Sequence, residues 1–171
     1  MRILLKGAMN KSNPFSEKEA NDSTGFLLWQ VTTIWQRAIA AALRPHGITQ
    51  VQYALLASLL WLSKKENQIT QTRLAQHTQL DVMMTSQVLR ALEAKGFVRR
   101  LPHPKDTRAK LLSLTKNGKA LAFKTVPIVE KADAAFFEAL GSRRSQFNQF
   151  LLSLMRPAFS KRQKSGGNHV E

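Results

Sequence analysis

Met83, Ser86, Gln87 and Arg90 carry the most specific chemistry in this sequence. On a helical wheel of about 100° per residue they share one stripe of the stretch Asp81 to Lys95. Thr85, Val88, Leu89 and Leu92 fill the opposite stripe at i, i+3, i+4, i+7. The outward stripe is therefore a small set of hydrogen-bonding groups with one methionine and one arginine. Such a set suits base edges better than bulk solvent. Arg90 would favour guanine O6/N7 and Gln87 adenine N6/N7, each discriminating by about 1–3 kcal/mol. Ser86 could join them, and Met83 could meet a thymine methyl; the alternative for Met83 is a surface methionine with no task.

A cationic run follows: Arg90, Lys95, Arg99, Arg100, Lys105, Arg108, Lys110 and Lys116, against only Glu93 and Asp106. Phosphates would release counterions to such a surface. The competing reading is a solvated charged face, but the charge is concentrated in one short region.

Other chemistries find no support. His46, His77, His103 and His169 are scattered, and no pair shares a helix face at i, i+4. No GxSxG, phosphate-loop or dinucleotide glycine pattern is present. The absence of cysteine excludes a disulfide scaffold, a thiolate zinc site and a thiol nucleophile or redox switch. No enzyme, cofactor or metal is expected.

Composition sets the frame. The 171 residues suit one domain or one compact subunit, at roughly 150 residues per domain. A hydrophobic fraction of 43% supports a real core. The net charge of +15 points to a polyanionic partner. No apolar run approaches the roughly 20 residues of a membrane span, and Met1 to Lys6 is too short for a signal-peptide core. Asn10-Lys11-Ser12 and Asn21-Asp22-Ser23 match a glycosylation pattern by accident on this reading. A cytoplasmic protein with no membrane partner is the expectation.

The elements that must position these groups are mainly helical. Residues 1–22 read as a loose arm and 160–171 as a frayed tail. A first helix over about Ser23 to Leu43 is apolar around much of its circumference, so it must be buried on most sides, which favours a partner subunit. Thr49 and Gln52 form a capping box for a helix running to about Leu62. After a loop over Ser63 to Gln68, a short helix covers about Thr70 to Thr78, with Leu74 and Ala75 inward. Asp81 is an N-cap and Gly96 a C′ residue for the helix between them. Phe97 to Leu101 and Lys110 to Leu114 read as a β-hairpin with a basic tip. Thr115 caps a helix to about Leu140 that Pro127 should kink or split. A last helix with Phe147, Phe150, Leu151 and Leu154 on one stripe should end at Pro157.

A short helix, a turn, a second helix and a basic hairpin make a winged helix-turn-helix. The fold class expected is mainly α with a small β-hairpin. Residues 49–114 would form the DNA-binding domain, and residues 23–48 and 115–159 the dimerisation helices. The stretch Ile48 to Lys119 resembles the MarR family of bacterial transcriptional regulators. The likeness rests on Gly47-Ile48-Thr49 with Gln52, Leu74-Ala75, Leu80-Asp81 and Leu92 to Val98, then Asp106 to Lys110 and Leu114 to Gly118.

That resemblance implies a homodimer on pseudo-palindromic double-stranded DNA. It would usually repress nearby genes and often be released by a small phenolic or other anionic effector. It also makes Asp106 similar to the family's wing acid, shaping the tip and orienting Arg108, the best minor-groove candidate; the alternative for Asp106 is an ordinary turn residue. Lys105, Lys110 and Arg100 would touch phosphate. Trp29, Thr33, Gln52 and Tyr53 are the pocket-lining candidates by resemblance, with core packing as the competing role for each.

Gln79 departs from the family's glycine in the inter-helix turn. Met83, Met84 and Gln87 stand where smaller hydroxyl residues and a basic one are frequent. The operator sequence therefore cannot be carried over. A winged-helix protein that works through protein partners, or binds DNA with little sequence preference, is the rival reading.

Overall fold

The computed structural model describes residues 14–106 and 109–165, with side chains to residue 155. Six α-helices and a small antiparallel sheet follow one another in the order α1 (Thr24–Leu43), α2 (Gln50–Leu62), β1 (Ile69–Thr70), α3 (Gln71–Thr78), α4 (Val82–Ala94), β2 (Val98–Pro102), β3 (Lys110–Leu114), α5 (Lys116–Phe136) and α6 (Arg144–Ser165). The core gathers Ile39 and Leu43 of α1, Leu55, Leu56, Leu59 and Leu62 of α2, Leu74 of α3, Leu89 and Leu92 of α4, Val98 and Leu112 of the sheet, and Ala122 and Val129 of α5.

Helix starts are set locally. Thr49 and Gln52 form the reciprocal capping box at the head of α2. Asp81 caps α4 by accepting from the backbone N–H of Met83 at 2.8 Å and of Met84 at 3.1 Å. Two otherwise orphaned donors depend on this one carboxylate. Asp81→Ala is expected to cost about 1 kcal/mol of folding stability, read from urea unfolding. Gly96 closes α4 at φ 71°. Gln79 holds φ 57° between α3 and α4, where a glycine would be unstrained. Its side-chain amide donates to the Gln76 carbonyl at 2.7 Å and offsets part of a cost of about 1 kcal/mol.

Three expectations are corrected. The hairpin is not alone: Ile69 and Thr70 pair with Leu112 and Leu111, so the strand order is β1-β3-β2. Two residues are too few for an alternating pattern to announce a strand. Pro127 does not split α5, which continues to Phe136 and gives way to a 3-10 turn at Glu138–Arg143 rather than reaching Leu140. Proline removes the donor to the preceding turn's carbonyl and crowds that carbonyl, a local penalty that the turns on either side outweigh here. Pro157 does not end α6 either; the helix runs to Ser165, into the segment expected to fray from residue 160.

Candidate nucleic-acid interface

Helix α4 divides into two faces. Thr85, Leu89 and Leu92 are fully buried, with Val88 partly so. The Thr85 hydroxyl is satisfied by donating to the Asp81 carbonyl at 2.8 Å. The burial locks the rotation of the helix. Met83, Gln87 and Arg90 are consequently exposed and Ser86 is half-exposed. Met83, at 79% exposure, is the most open large apolar side chain among the described residues. Gln71, at the head of α3, reaches across with its amide to the Val82 carbonyl at 3.4 Å, tying the two helices at the start of α4.

The wing stands beside this face. Strands β2 and β3 are in register from Val98↔Leu114 to Pro102↔Lys110. Lys105 and Lys110 are exposed at and near its tip. Arg108 lies outside the described residues. The wing's organiser is a residue that the sequence reading passed over. His103 Nδ1 accepts from the backbone N–H of Lys105 at 3.2 Å and of Asp106 at 3.1 Å. The Asp106 carbonyl accepts from Ala109 N–H at 3.1 Å. A histidine in a Pro-rich turn carries no spacing signal, so only the folded tip reveals it. Arg100 has a partner within the chain. It is held by Glu93, with Nε at 2.7 Å and Nη2 at 2.6 Å from one carboxylate oxygen. Exposed Arg99, one residue earlier on the other side of the strand, has its guanidinium available to solvent.

Lys95, counted in the cationic run, has a structural role that its sequence position did not show. Its ammonium donates to the Gly47 carbonyl at 2.8 Å and to Gln52 Oε1 at 3.3 Å. It ties the end of α4 to the start of α2, so a charge counted toward phosphate serves the frame instead. Gln52 is correspondingly 8% exposed and committed to its capping box.

The four pocket candidates do not converge. Tyr53 lines a cleft of about 360 Å³ with Trp61, Lys64, His77, Val126 and Glu130. Gln52 points away from it, because neighbours on a helix diverge by about 100°. Trp29 is 64% exposed on the outer half of α1, and Thr33 donates to its carbonyl at 2.8 Å. Only Ile39 and Leu43, at the far end of α1, are buried.

Burial first, then the charges of Asp133 and Glu130, raise the Tyr53 phenol above its ordinary 10.0. The folded chain then keeps a proton that the unfolded chain has lost. This contribution to stability is intact below pH 10 and declines as pH rises through the folded value. Tyr53 is the only tyrosine, so an ultraviolet titration reads it alone. The expected midpoint lies above 10.0 and moves down in Glu130→Gln; a midpoint at or below 10.0 contradicts this.

Trp35 Nε1 donates to Asp133 Oδ1 at 2.7 Å, joining α1 to α5 beside the cleft. Among the described residues no group of three or more His, Asp or Glu could hold a metal ion. No helix among them is long and apolar enough to cross a membrane.

A buried-backed recognition helix, a helix packed before it and a three-stranded wing define a winged helix-turn-helix protein. The MarR family model matches residues 48–110. The chain is 46% identical over 119 residues to the HTH-type transcriptional regulator YdcH of Bacillus subtilis, spanning 70% of this chain and 81% of that protein. It is 29% identical over 131 residues to the HTH-type transcriptional repressor Rv2887 of Mycobacterium tuberculosis, spanning 76% and 91%. The chain belongs to the MarR family of transcriptional regulators.

Similar solved structures include a MarR mutant from Escherichia coli complexed with operator DNA, at 26% identity and TM-score 0.67 over 77% of this chain and 91% of that one. CouR from Rhodococcus jostii RHA1 bound to p-coumaroyl-CoA is similar at 25% identity and TM-score 0.68, over 91% and 100%.

Proposed function

We propose that the protein is a sequence-specific DNA-binding repressor that acts as a homodimer on pseudo-palindromic operators in the cytoplasm, without catalytic activity of its own. The carrying observation is the division of α4: Thr85, Leu89 and Leu92 fix the helix from behind, and Gln87 and Arg90 stand free in front. A helix of this kind enters the major groove with its N-terminal half against the bases. The wing then lies over the adjacent backbone, with Lys105 and Lys110 toward phosphate and Arg108 toward the minor groove. The operator complex of the MarR relative supports this docking.

Dimerisation is supported by the unburied apolar residues of α1 (Phe26, Leu27, Leu28, Trp29, Val31 and Ile34) and of α6 (Phe150, Leu152 and Leu154). Two-fold symmetry places two copies of α4 about one helical turn apart, which is the origin of the palindrome. A small phenolic or other anionic effector would release the dimer. The cleft beside Tyr53 supports this, with the Trp61 ring, His77 and Lys64 in its wall. The CouR complex with p-coumaroyl-CoA supports it by likeness.

Genome-wide mapping of bound sites supplies the operator, and competition against random duplex at one stated salt concentration measures specificity. Gln87→Ala and Arg90→Ala are each expected to lower operator affinity by about 1–3 kcal/mol and to relax preference at one base pair per half-site. Equal affinity for operator and random duplex would refute sequence-specific reading and favour a low-specificity or protein-recruiting role.

A further inference from the structure

We infer that Met83 is a redox modification site: a peroxide converts its thioether to a sulfoxide and so loosens the grip on DNA. The inference rests on the DNA-binding reading above and deepens it.

Three observations place the chemistry there. Met83 is 79% exposed, against 48% for Met84 and 39% for Met155. It lies in the first turn of α4, whose position is pinned by the Asp81 carboxylate through the Met83 and Met84 N–H groups. The chain has no cysteine, so no thiol of its own competes for the oxidant. In the reaction the sulfur lone pair attacks one peroxide oxygen and the O–O bond breaks. That oxygen stays on sulfur, and the departing oxygen leaves as water with both peroxide protons. Sulfur is oxidised by two electrons and the peroxide is reduced by two.

The product is a polar, chiral side chain at the position that would meet an apolar base edge. Met83 packs against none of the core, so the fold has no reason to yield. At Met83 the change falls on the recognition face. Methionine sulfoxide reductases reverse it, as a switch requires.

The full chain is treated with hydrogen peroxide, quenched, and titrated onto the mapped operator duplex, while peptide mass spectrometry counts the oxygen added at each methionine. Affinity is expected to fall by about tenfold in step with oxygen on Met83, and to return after sulfoxide reductase. Circular dichroism should not change. Met83→Leu should keep its own untreated affinity after peroxide, Met84→Leu should still respond, and Met83→Gln should bind weakly without any oxidant. Bound operator should slow oxidation of Met83. Full oxidation of Met83 with unchanged affinity overturns the inference, as does a Met83 that resists peroxide, or a Met83→Leu variant as sensitive as the parent. If untreated protein shows no preference for operator over random duplex, the parent reading fails instead, and the two failures are distinguishable.

Discussion

Operator affinity is expected to fall about a thousandfold when salt rises from about 50 mM to about 200 mM. The estimate starts from the cations the fold leaves available. Lys95 is committed to the Gly47 carbonyl and Gln52, and Arg100 to Glu93. Arg99, Lys105 and Lys110 remain exposed on the wing. Doubled in a homodimer, they give about six phosphate contacts. Each released counterion adds about −0.9 to the slope of log affinity on log salt, so the slope is about −5.

Lys105→Ala with Lys110→Ala removes about four of those contacts per dimer and should flatten the slope by about 3 to 4. Gln87→Ala should leave the slope alone while relaxing specificity, because a base contact releases no counterion. Fluorescence anisotropy over a salt series checks both. A slope indifferent to the wing lysines would mean that the wing does not lie on the phosphates.

Gly118→Ala is expected to unfold roughly 4–8 °C below the parent. In an ordinary helix the change would gain up to about 1 kcal/mol. Here a Cβ would overlap the Phe97 carbonyl oxygen and come within 2.7 Å of the carbonyl carbon. That carbonyl cannot retreat freely, because it accepts the Thr115 N–H at 3.0 Å, while the Thr115 side chain donates to the Gly96 carbonyl at 2.6 Å and caps Gly118 at 3.0 Å. Backbone stands on both sides of the clash. Overpacking of this kind costs about 1–3 kcal/mol, and with backbone on both sides the upper end applies, so the clash outweighs the helix gain. Thermal unfolding decides: a melting temperature at or above the parent's would show that the head of α5 does not approach the Phe97 backbone this closely.

The elements were legible where a local rule specifies them. The Thr49 box, the Asp81 cap and the Gly96 terminus follow from side chains within a few residues of the backbone groups they satisfy. The buried stripe of α4 followed from periodicity, and the exposed stripe from its complement. Proline did not split the helix at 127 or end it at 157, since its local penalty was overcome by the helix around it. The two-residue strand at Ile69 gave no pattern to read, because its reason for existing is Leu112, far along the chain.

Side-chain commitments divide along the same line. Membership of the charge-rich region made Lys95, Arg99, Arg100, Lys105 and Lys110 equivalent on the page. Folding separated them: Glu93 at the end of α4 meets Arg100 in β2 across the bend at Gly96, and Gly47 reaches Lys95 only through packing of α2 on α4. Likewise Tyr53 met Trp61, His77 and Glu130 in a cleft, whereas Trp29, Thr33 and Gln52 went elsewhere. Composition, caps and periodicity were enough to establish a winged helix-turn-helix with a polar recognition stripe, because those are short-range effects written in adjacent residues. Which cations are available for phosphate, what shapes the wing tip and how closely Gly118 approaches the Phe97 backbone were decided by tertiary contacts, because distance and direction between remote segments exist only once the chain has folded.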